Sequence, residues 1–344
     1  MQDMVDKLLN WYRDNKRELP WRFDKDPYHV WISEIMLQQT RIEAVLSYYK
    51  RFMAQLPTIS SLAKVDEDKL LKLWEGLGYY NRARNLKRAA VIIIEEYGGV
   101  FPTTYSEIIK LPGIGEYTAS AISSICFGEK QVTVDGNVMR IFTRFYNDSS
   151  NVSKDSTRKN IRDFLLSVIP DDAGDFNAGL MELGEVICIP NGIPRCFICP
   201  LREECQSNKN ANYFLFPIKD EKKMKEEVEM TVIIPIWNNQ TIVRKRKNPG
   251  MLHNLYEFPN VLGSKSIFEI KDLSSEFGKV YDVQKSITYT HVFTHRKWKM
   301  QAYFVFLESV NCRSLFYSIS DIEEKFALPT AFSPFLYQLK EELK

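Results

Sequence analysis

Residues 111–137 read LPGIGEYTASAISSICFGEKQVTVDGN, and this stretch decides the fold of the first half of the chain. It opens on a tight Pro-Gly-x-Gly turn. Apolar residues then recur at helical spacing, at Ala121, Ile122 and Ile125, and Asp135 stands in a short polar segment, Asp-Gly-Asn. Gly113 and Gly115 let the backbone approach something closely, and a helix starting near Glu116 presents unpaired N–H groups at that point. A turn of this kind at a helix N-terminus suits a phosphate. Asp135, about twenty residues on, is then placed to act beside whatever the phosphate carries. An ordinary helix hairpin with a solvated aspartate would read the same way.

Upstream, residues 1–18 predict an amphipathic helix with Val5, Leu8, Leu9 and Tyr12 on one face. Leu19-Pro20-Trp21-Arg22 breaks it. Asp26-Pro27 supplies an N-cap and a first-turn proline for the next helix, which carries Tyr28, Trp31, Ile32 and Ile35 on one stripe. Glu34 lies beside that stripe. Such an acid is either a helix-edge surface group or a partly buried carboxyl of raised pKa. Thr40 and Glu43 have the spacing of a capping box for the following helix. Helical patterns run on to Tyr97 and include Trp74-Glu75-Gly76-Leu77-Gly78-Tyr79-Tyr80. That segment is either aromatic packing at a helix junction or a ring offered to a base step as a wedge. Arg82, Arg84, Lys87 and Arg88 form a basic face, suited to phosphates or simply solvated.

Downstream, helices are predicted near 137–146, 157–168 and 175–188. Cys188, Cys196, Cys199 and Cys205 then fall within eighteen residues, enough to wrap one metal centre, zinc being the generic alternative to iron. Cys126 and Cys312 read as reduced, buried residues. Residues 216–229 are charged and read as a linker. Beyond them the period changes to two: Thr231–Trp237 and Thr241–Lys245 predict a strand pair around an Asn-Asn turn. Ser286–Tyr289 and Lys299–Leu307 predict further strands, and 321–342 ends in helix.

The net charge of +2 does not by itself announce nucleic acid, so any basic surface must be local. No apolar run approaches the ~20 residues of a membrane span, and the charged N-terminus lacks a signal-peptide core. An intracellular protein is expected, in cytoplasm and nucleoid or in a nucleus.

Taken together, PWRFDKDPYHVWISEIMLQQTR (20–41), EGLGYYNRARNL (75–86), LPGIGEYTA (111–119), VDGNVMR (134–140), FNAGLMELG (176–184) and the four cysteines resemble the adenine DNA glycosylases of the MutY type, in the helix–hairpin–helix superfamily. The resemblance covers nearly the whole chain. It implies a mainly α part in two helical lobes with an iron–sulfur cluster loop (1–215), the linker (216–229), and an α+β Nudix-like domain that reads 8-oxoguanine (230–344). It implies a monomeric, monofunctional enzyme that removes adenine opposite 8-oxoguanine or guanine in duplex DNA.

On this resemblance Glu34 would protonate N7 of adenine and Asp135 would stabilise the cationic sugar, with Tyr117 and Asn137 completing the site. Trp21 and Arg22 would line the adenine pocket, Gln39 and Tyr79 would intercalate, and Gly113 and Gly115 would meet the DNA backbone. Cys188, Cys196, Cys199 and Cys205 would bind a 4Fe–4S cluster, and Phe293, Thr294 and His295 would form the lesion-reading loop. A purine is a poor leaving group unless protonated, and the oxocarbenium-like sugar calls for a nearby anion, so two carboxyls in different environments make chemical sense.

Four features depart from the family pattern. Seven residues separate the first two cysteines where six are usual. Ala178 stands where Glu or Gln is common, and Thr294 replaces a Ser. The Nudix hydrolase signature is absent around 250–278, which argues against pyrophosphate hydrolysis. A bifunctional lyase would need a lysine where Tyr117 stands, and a noncatalytic iron–sulfur regulator would not need Glu34 and Asp135.

Overall fold

A computed structural model describes residues 2–221, 224–247 and 250–344. In chain order the first helices are α1 (Gln2–Asn15), α2 (Pro27–Leu37), α3 (Ile42–Gln55), α4 (Ile59–Lys64), α5 (Glu67–Leu73) and α6 (Asn81–Glu96). They are followed by α7 (Tyr105–Ile108), α8 (Glu116–Phe127), α9 (Gly136–Tyr146), α10 (Asp155–Val168), α11 (Ala173–Val186) and α12 (Gln206–Lys209). The chain divides into two compact units, one of residues 1–64 and 85–221, the other of residues 65–84 and 222–344.

In the first unit, α2 and α8 are the central helices. Asp26 caps α2 by accepting from the Tyr28 N–H at 2.8 Å, with Pro27 in the first turn. Tyr28, Val30, Trp31, Ile32, Ser33, Ile35 and Met36 are all buried. A helix covered on nearly every side belongs to a core, and Glu34 is the one acid within it. In α8, Thr118 to Ser124 are buried without interruption, and Gly128, at φ 68°, ends the helix in the left-handed region. α2 packs on α8, while α11 packs on α1, α8 and α9.

Three local expectations are corrected in this unit. α1 ends at Asn15, not 18. The Thr40–Glu43 capping box does not form: Arg41 is the N-cap of α3 and makes no side-chain cap, and the Thr40 hydroxyl instead donates to the Gln38 carbonyl at 3.4 Å. Gln39 takes φ 58°, so the chain reverses there and α3 starts one residue later than the box requires. Residues 216–221 stay with the helices, with the Val152 N–H donating to the Ile218 carbonyl at 2.9 Å.

The second unit is built on β1 (Glu226–Trp237), β2 (Gln240–Thr241), β3 (Arg244–Lys245), β4 (Tyr256–Glu257), β5 (Asn260–Leu262), α13 (Ile267–Ser274), β6 (Gly278–Val292), β7 (Arg296–Val310), α14 (Ile319–Lys325) and α15 (Ser333–Glu342). The main sheet runs β2-β1-β7-β6, with β5 also on β1. β1 and β7 are parallel and β6 and β7 antiparallel. Alternation along β1 sends Val232, Ile234 and Ile236 into a core with Ile322, Phe335 and Leu339, and Ile233 into another with Ile270 and Phe277. Helices therefore cover both faces.

Three expectations change here as well. β1 begins inside the stretch read as linker, because Glu226–Glu229 pair in register with Arg296–Lys299 and their charges match across the strands. The Asn238-Asn239 turn forms with both residues at positive φ, but its return strand stops at Thr241, and Arg244–Lys245 pair with Tyr256–Glu257 in a separate ribbon. Cys312 is exposed, not buried, in the turn after β7.

Residues 65–84 also belong to this unit. Lys245 pairs with Asp68 at 2.5 Å, the Leu328 N–H donates to Glu75 at 2.7 Å, and Lys72 donates to the Phe326 carbonyl at 2.9 Å. No helix among the described residues is long and apolar enough to cross a membrane.

Candidate active site

Three helices of the first unit bring Glu34, Tyr117, Asp135 and Asn137 together. Glu34 projects from the last turns of α2, and the Tyr117 hydroxyl, from the first turn of α8, donates to its carboxylate. Burial pushes the Glu34 carboxyl up to about 7, against the Tyr117 hydrogen bond, which lowers it. Glu34 therefore keeps its proton to a far higher pH than an ordinary glutamate does.

Asp135 is the N-cap of α9. It accepts from the Asn137 and Val138 backbone N–H groups at 2.8 and 2.9 Å, and from Asn137 Nδ2 at 3.1 Å. Burial raises its pKa, while these backbone donors oppose the rise and favour the anion. Asn137 is itself fixed by Arg140, whose Nη2 donates to Asn137 Oδ1 at 2.9 Å and to the Gly184 carbonyl at 2.8 Å. A Cβ at Gly184 would stand 2.7 Å from the Asn137 Cβ, so glycine there lets α11 lie against the site.

Two clefts meet at this point. One, of about 540 Å³, is lined by Gln39, Gly115, Arg158 and Arg162. The other, of about 400 Å³, is lined by Trp21, Arg22, Asn137, Ala178, Met181 and Glu185. Glu34, Tyr117 and Asp135 line both. Trp21 is buried edge-on to Tyr49, with ring centroids 5.1 Å apart. Arg22 donates to buried Glu182 at 2.9 Å, which Arg17 also pairs. Gly113 adopts φ 78°, and a Cβ there would lie 2.6 Å from the Asn85 Cβ. Gly115 differs: open space surrounds its missing Cβ, so the fold does not demand glycine, and the bare backbone at the start of α8 faces the larger cleft. α8 has no side-chain N-cap, which leaves its first N–H groups to a ligand.

The sequence reading missed Arg158 and Arg162, which bring positive charge to the larger cleft from α10, and Glu182 and Glu185 on α11. Periodicity could have found the last: Ala178, Met181 and Glu185 follow i, i+3, i+7 and share one helix face.

Cys188, Cys196, Cys199 and Cys205 converge as free, half-buried thiols around a small cavity of about 30 Å³. Among the described residues no three groups are drawn together as ligands of a single metal ion. The donor set nonetheless fits a thiolate-ligated cluster. Arg144 Nη1 donates to Cys188 Sγ at 3.4 Å, and the same guanidinium ties down the carbonyls of Ile189, Tyr213 and Phe216 around the loop. Burial pushes the Cys199 thiol up to about 12 and raises Cys196 and Cys205 too. Such thiols ionise only against bound metal.

In the second unit, Trp74 and Tyr80 are buried, whereas Tyr79 is 47% exposed with φ 48°. Arg82 is packed over the rings of Trp74 and Tyr79 and donates to the carbonyls of Leu77 and Gly78. Arg84 pairs with Glu67 and the His253 carbonyl. Arg82 and Arg84, two of the four residues of the predicted basic face, are therefore engaged in shaping this loop. The turn between β6 and β7 closes with the Phe293 N–H on the Arg296 carbonyl at 2.8 Å. Phe293 packs inward on Trp298, ring centroids 4.8 Å apart, which leaves Thr294 and His295 exposed at the tip.

Comparison with known proteins accords with this architecture. Residues 32–166 match the HhH-GPD superfamily of base excision DNA repair proteins, and residues 231–338 match the NUDIX domain. A solved thermostable thymine-DNA glycosylase superposes with a TM-score of 0.55 at 30% identity, over 60% of this chain and 95% of that one. A trapped endonuclease III–DNA covalent intermediate gives 0.51 at 25%, over 60% and 95%. Fold and site thus define a helix–hairpin–helix glycosylase, which cleaves N-glycosidic bonds, joined to a Nudix-like domain.

The full-length relatives narrow the class. The adenine DNA glycosylase of Buchnera aphidicola subsp. Baizongia pistaciae is 32% identical over 97% of this chain and 96% of its own length. That of Buchnera aphidicola subsp. Schizaphis graminum is 38% identical over 84% and 83%, and the human enzyme 31% over 88% and 66%. The chain belongs to the adenine DNA glycosylases.

Proposed function

We propose that this enzyme removes adenine opposite 8-oxoguanine or guanine in duplex DNA by hydrolysis alone, acting as a monomer. The observation that carries the reading is the pairing of a carboxyl near pKa 7, Glu34, with an N-capping carboxylate, Asp135, on one wall shared by two clefts. Glu34 gives its proton to N7 of a flipped adenine as the C1′–N9 bond breaks, and the bonding electron pair leaves with the base. Asp135 offsets the charge on the sugar. Water adds to C1′ and its proton passes to a site carboxylate, so adenine and an abasic site are the products. Tyr117 orients Glu34 and has no amine with which to attack the sugar.

Gln39, Tyr79, Gly113, Gly115, Arg158 and Arg162 meet the opened duplex, and Trp21 and Arg22 wall the base pocket. Phe293, Thr294 and His295 read the opposite base. Cys188, Cys196, Cys199 and Cys205 would hold a 4Fe–4S cluster, which when bound would cross-link the 188–205 loop. The test is single-turnover excision on a duplex with adenine opposite 8-oxoguanine. Adenine release with an intact, alkali-labile strand and no borohydride-trapped adduct is expected. Strand cleavage without added base, with efficient trapping, would overturn the hydrolytic reading.

A further inference from the structure

Glu185 lines the smaller cleft together with Glu34, Asp135, Asn137 and Met181. Glu185 is solvent-exposed at the edge of that cleft, and its charge is felt by Glu34, Tyr117 and Asp135 alike. Met181 and Ala178 share its face of α11, and neither offers a hydrogen-bond acceptor strong enough to orient a base. One Glu185 oxygen, Oε2, is anchored by Arg17 Nη2 at 2.6 Å. That ion pair restrains the side chain. Arg17 does not depend on Glu185, since it also pairs with buried Glu182.

The base supplies the complementary group. Adenine carries N7 and the 6-amino group side by side on one edge. An acid that reaches N7 brings the 6-amino N–H to whatever acceptor stands next along the wall. Guanine and hypoxanthine put a carbonyl oxygen there, which a carboxylate repels.

We propose that Glu185 accepts a hydrogen bond from the 6-amino group of the flipped adenine and so selects adenine over 6-oxopurines. The assignment rests on Glu34 as the group that meets N7. A site built to bind an N–H discriminates against a base that lacks it, because an acceptor covered by the seated base is then left unpaired.

The experiment compares single-turnover excision of adenine, unsubstituted purine and hypoxanthine, each opposite guanine, by wild type and by Glu185→Ala. It is run at pH 6, on the acid side of the raised Glu34 pKa. Adenine excision should fall about tenfold or more relative to purine excision, which reports any effect of the lost charge on Glu34 and Asp135, and the wild-type handicap on hypoxanthine should shrink. Glu185→Gln, of the same size, guards against a folding defect; its adenine-to-purine ratio should fall less than that of the Ala variant. Equal losses on adenine and purine in the Gln variant, or no loss on adenine in the Ala variant, would overturn the proposal. Failure of Glu34 as the acid is read separately, as adenine excision surviving in Glu34→Gln.

Discussion

Tyr79 and Thr294 are joined hydroxyl to hydroxyl, Oη to Oγ1 at 2.7 Å, although 215 residues separate them in sequence. The tip of the β6–β7 hairpin is therefore held against the exposed aromatic ring of the 74–80 loop, both within the second unit. A hydroxyl fixed in this way has lone pairs left to accept the N7–H that 8-oxoguanine has and guanine lacks.

Replacing Thr294 by Val keeps the branched shape and removes the hydroxyl. The ratio of single-turnover rates on adenine opposite 8-oxoguanine and opposite guanine should then fall about tenfold, equivalent to about 1–2 kcal/mol for one lost contact. Thr294→Ser should retain the ratio. An unchanged ratio in the Val variant would remove Thr294 as a reader of the lesion.

Glu34→Gln should abolish adenine release while duplex binding persists, since an amide cannot donate an acid proton. Wild-type excision should decline as pH rises through about 7, following the protonated fraction of Glu34. The same shift makes a stability statement. The folded state binds the proton more tightly than the unfolded chain, so between about 4.5 and 7 stability falls as pH rises, and the full cost stands above 7. Glu34→Gln should therefore be more stable than wild type at pH 8, by about 1–3 kcal/mol, and no more stable at pH 4. Thermal melts at the two pH values check this. A variant both active and no more stable at pH 8 contradicts the buried-acid assignment.

Asp135→Asn should lose several orders of magnitude in excision rate, because a neutral amide offsets no sugar cation. Asn still caps α9, as it is a good N-cap residue, so the melting temperature should move little. Activity near wild type in a fully folded Asn variant would exclude Asp135 from charge stabilisation.

How far these arguments were available without coordinates varies from residue to residue. Asp135 stood out because Asp-Gly-Asn after an apolar helix is a local signal, and its capping role follows from residues only two and three positions away. The environment of Glu34 could not be read locally: the stripe of α2 marks one buried face, whereas the burial that decides its pKa comes from α8, some eighty residues downstream. Glu185 was missed because a lone acid on a helix resembles any solvated one until the cleft is seen. The placement of residues 65–84 with the second unit rests on side chains such as Asp68 and Glu75, paired with partners more than 170 residues away, a distance at which sequence spacing carries no information. The early start of β1 was hidden for another reason. Glu226, Glu227 and Glu229 look like linker charges, and only the basic residues facing them on β7 make them a strand.

The cysteine loop supports the last prediction. Four thiols line one cavity, and burial raises Cys196, Cys199 and Cys205, so as free thiols these three would be neutral. Metal binding must therefore release protons and will be favoured by rising pH. Arg144 stands against Cys188 and binds the carbonyl of Ile189 in the loop and those of Tyr213 and Phe216 beyond it, so it stabilises thiolate charge and the loop's anchorage together. The seven-residue first gap is absorbed locally: residues 189–193 include Gly192 at φ 78° and solvent-exposed Ile193, outside the lining of the cavity. Purified protein should be brown and contain iron and sulfide in equal amounts, with no zinc. Cys199→Ser should lose iron and broaden the melting transition. Arg144→Ala should retain less iron than wild type, with the deficit growing as pH is lowered from 8 to 6. Metal analysis that returned one zinc per chain and no iron would replace the cluster with a structural zinc site.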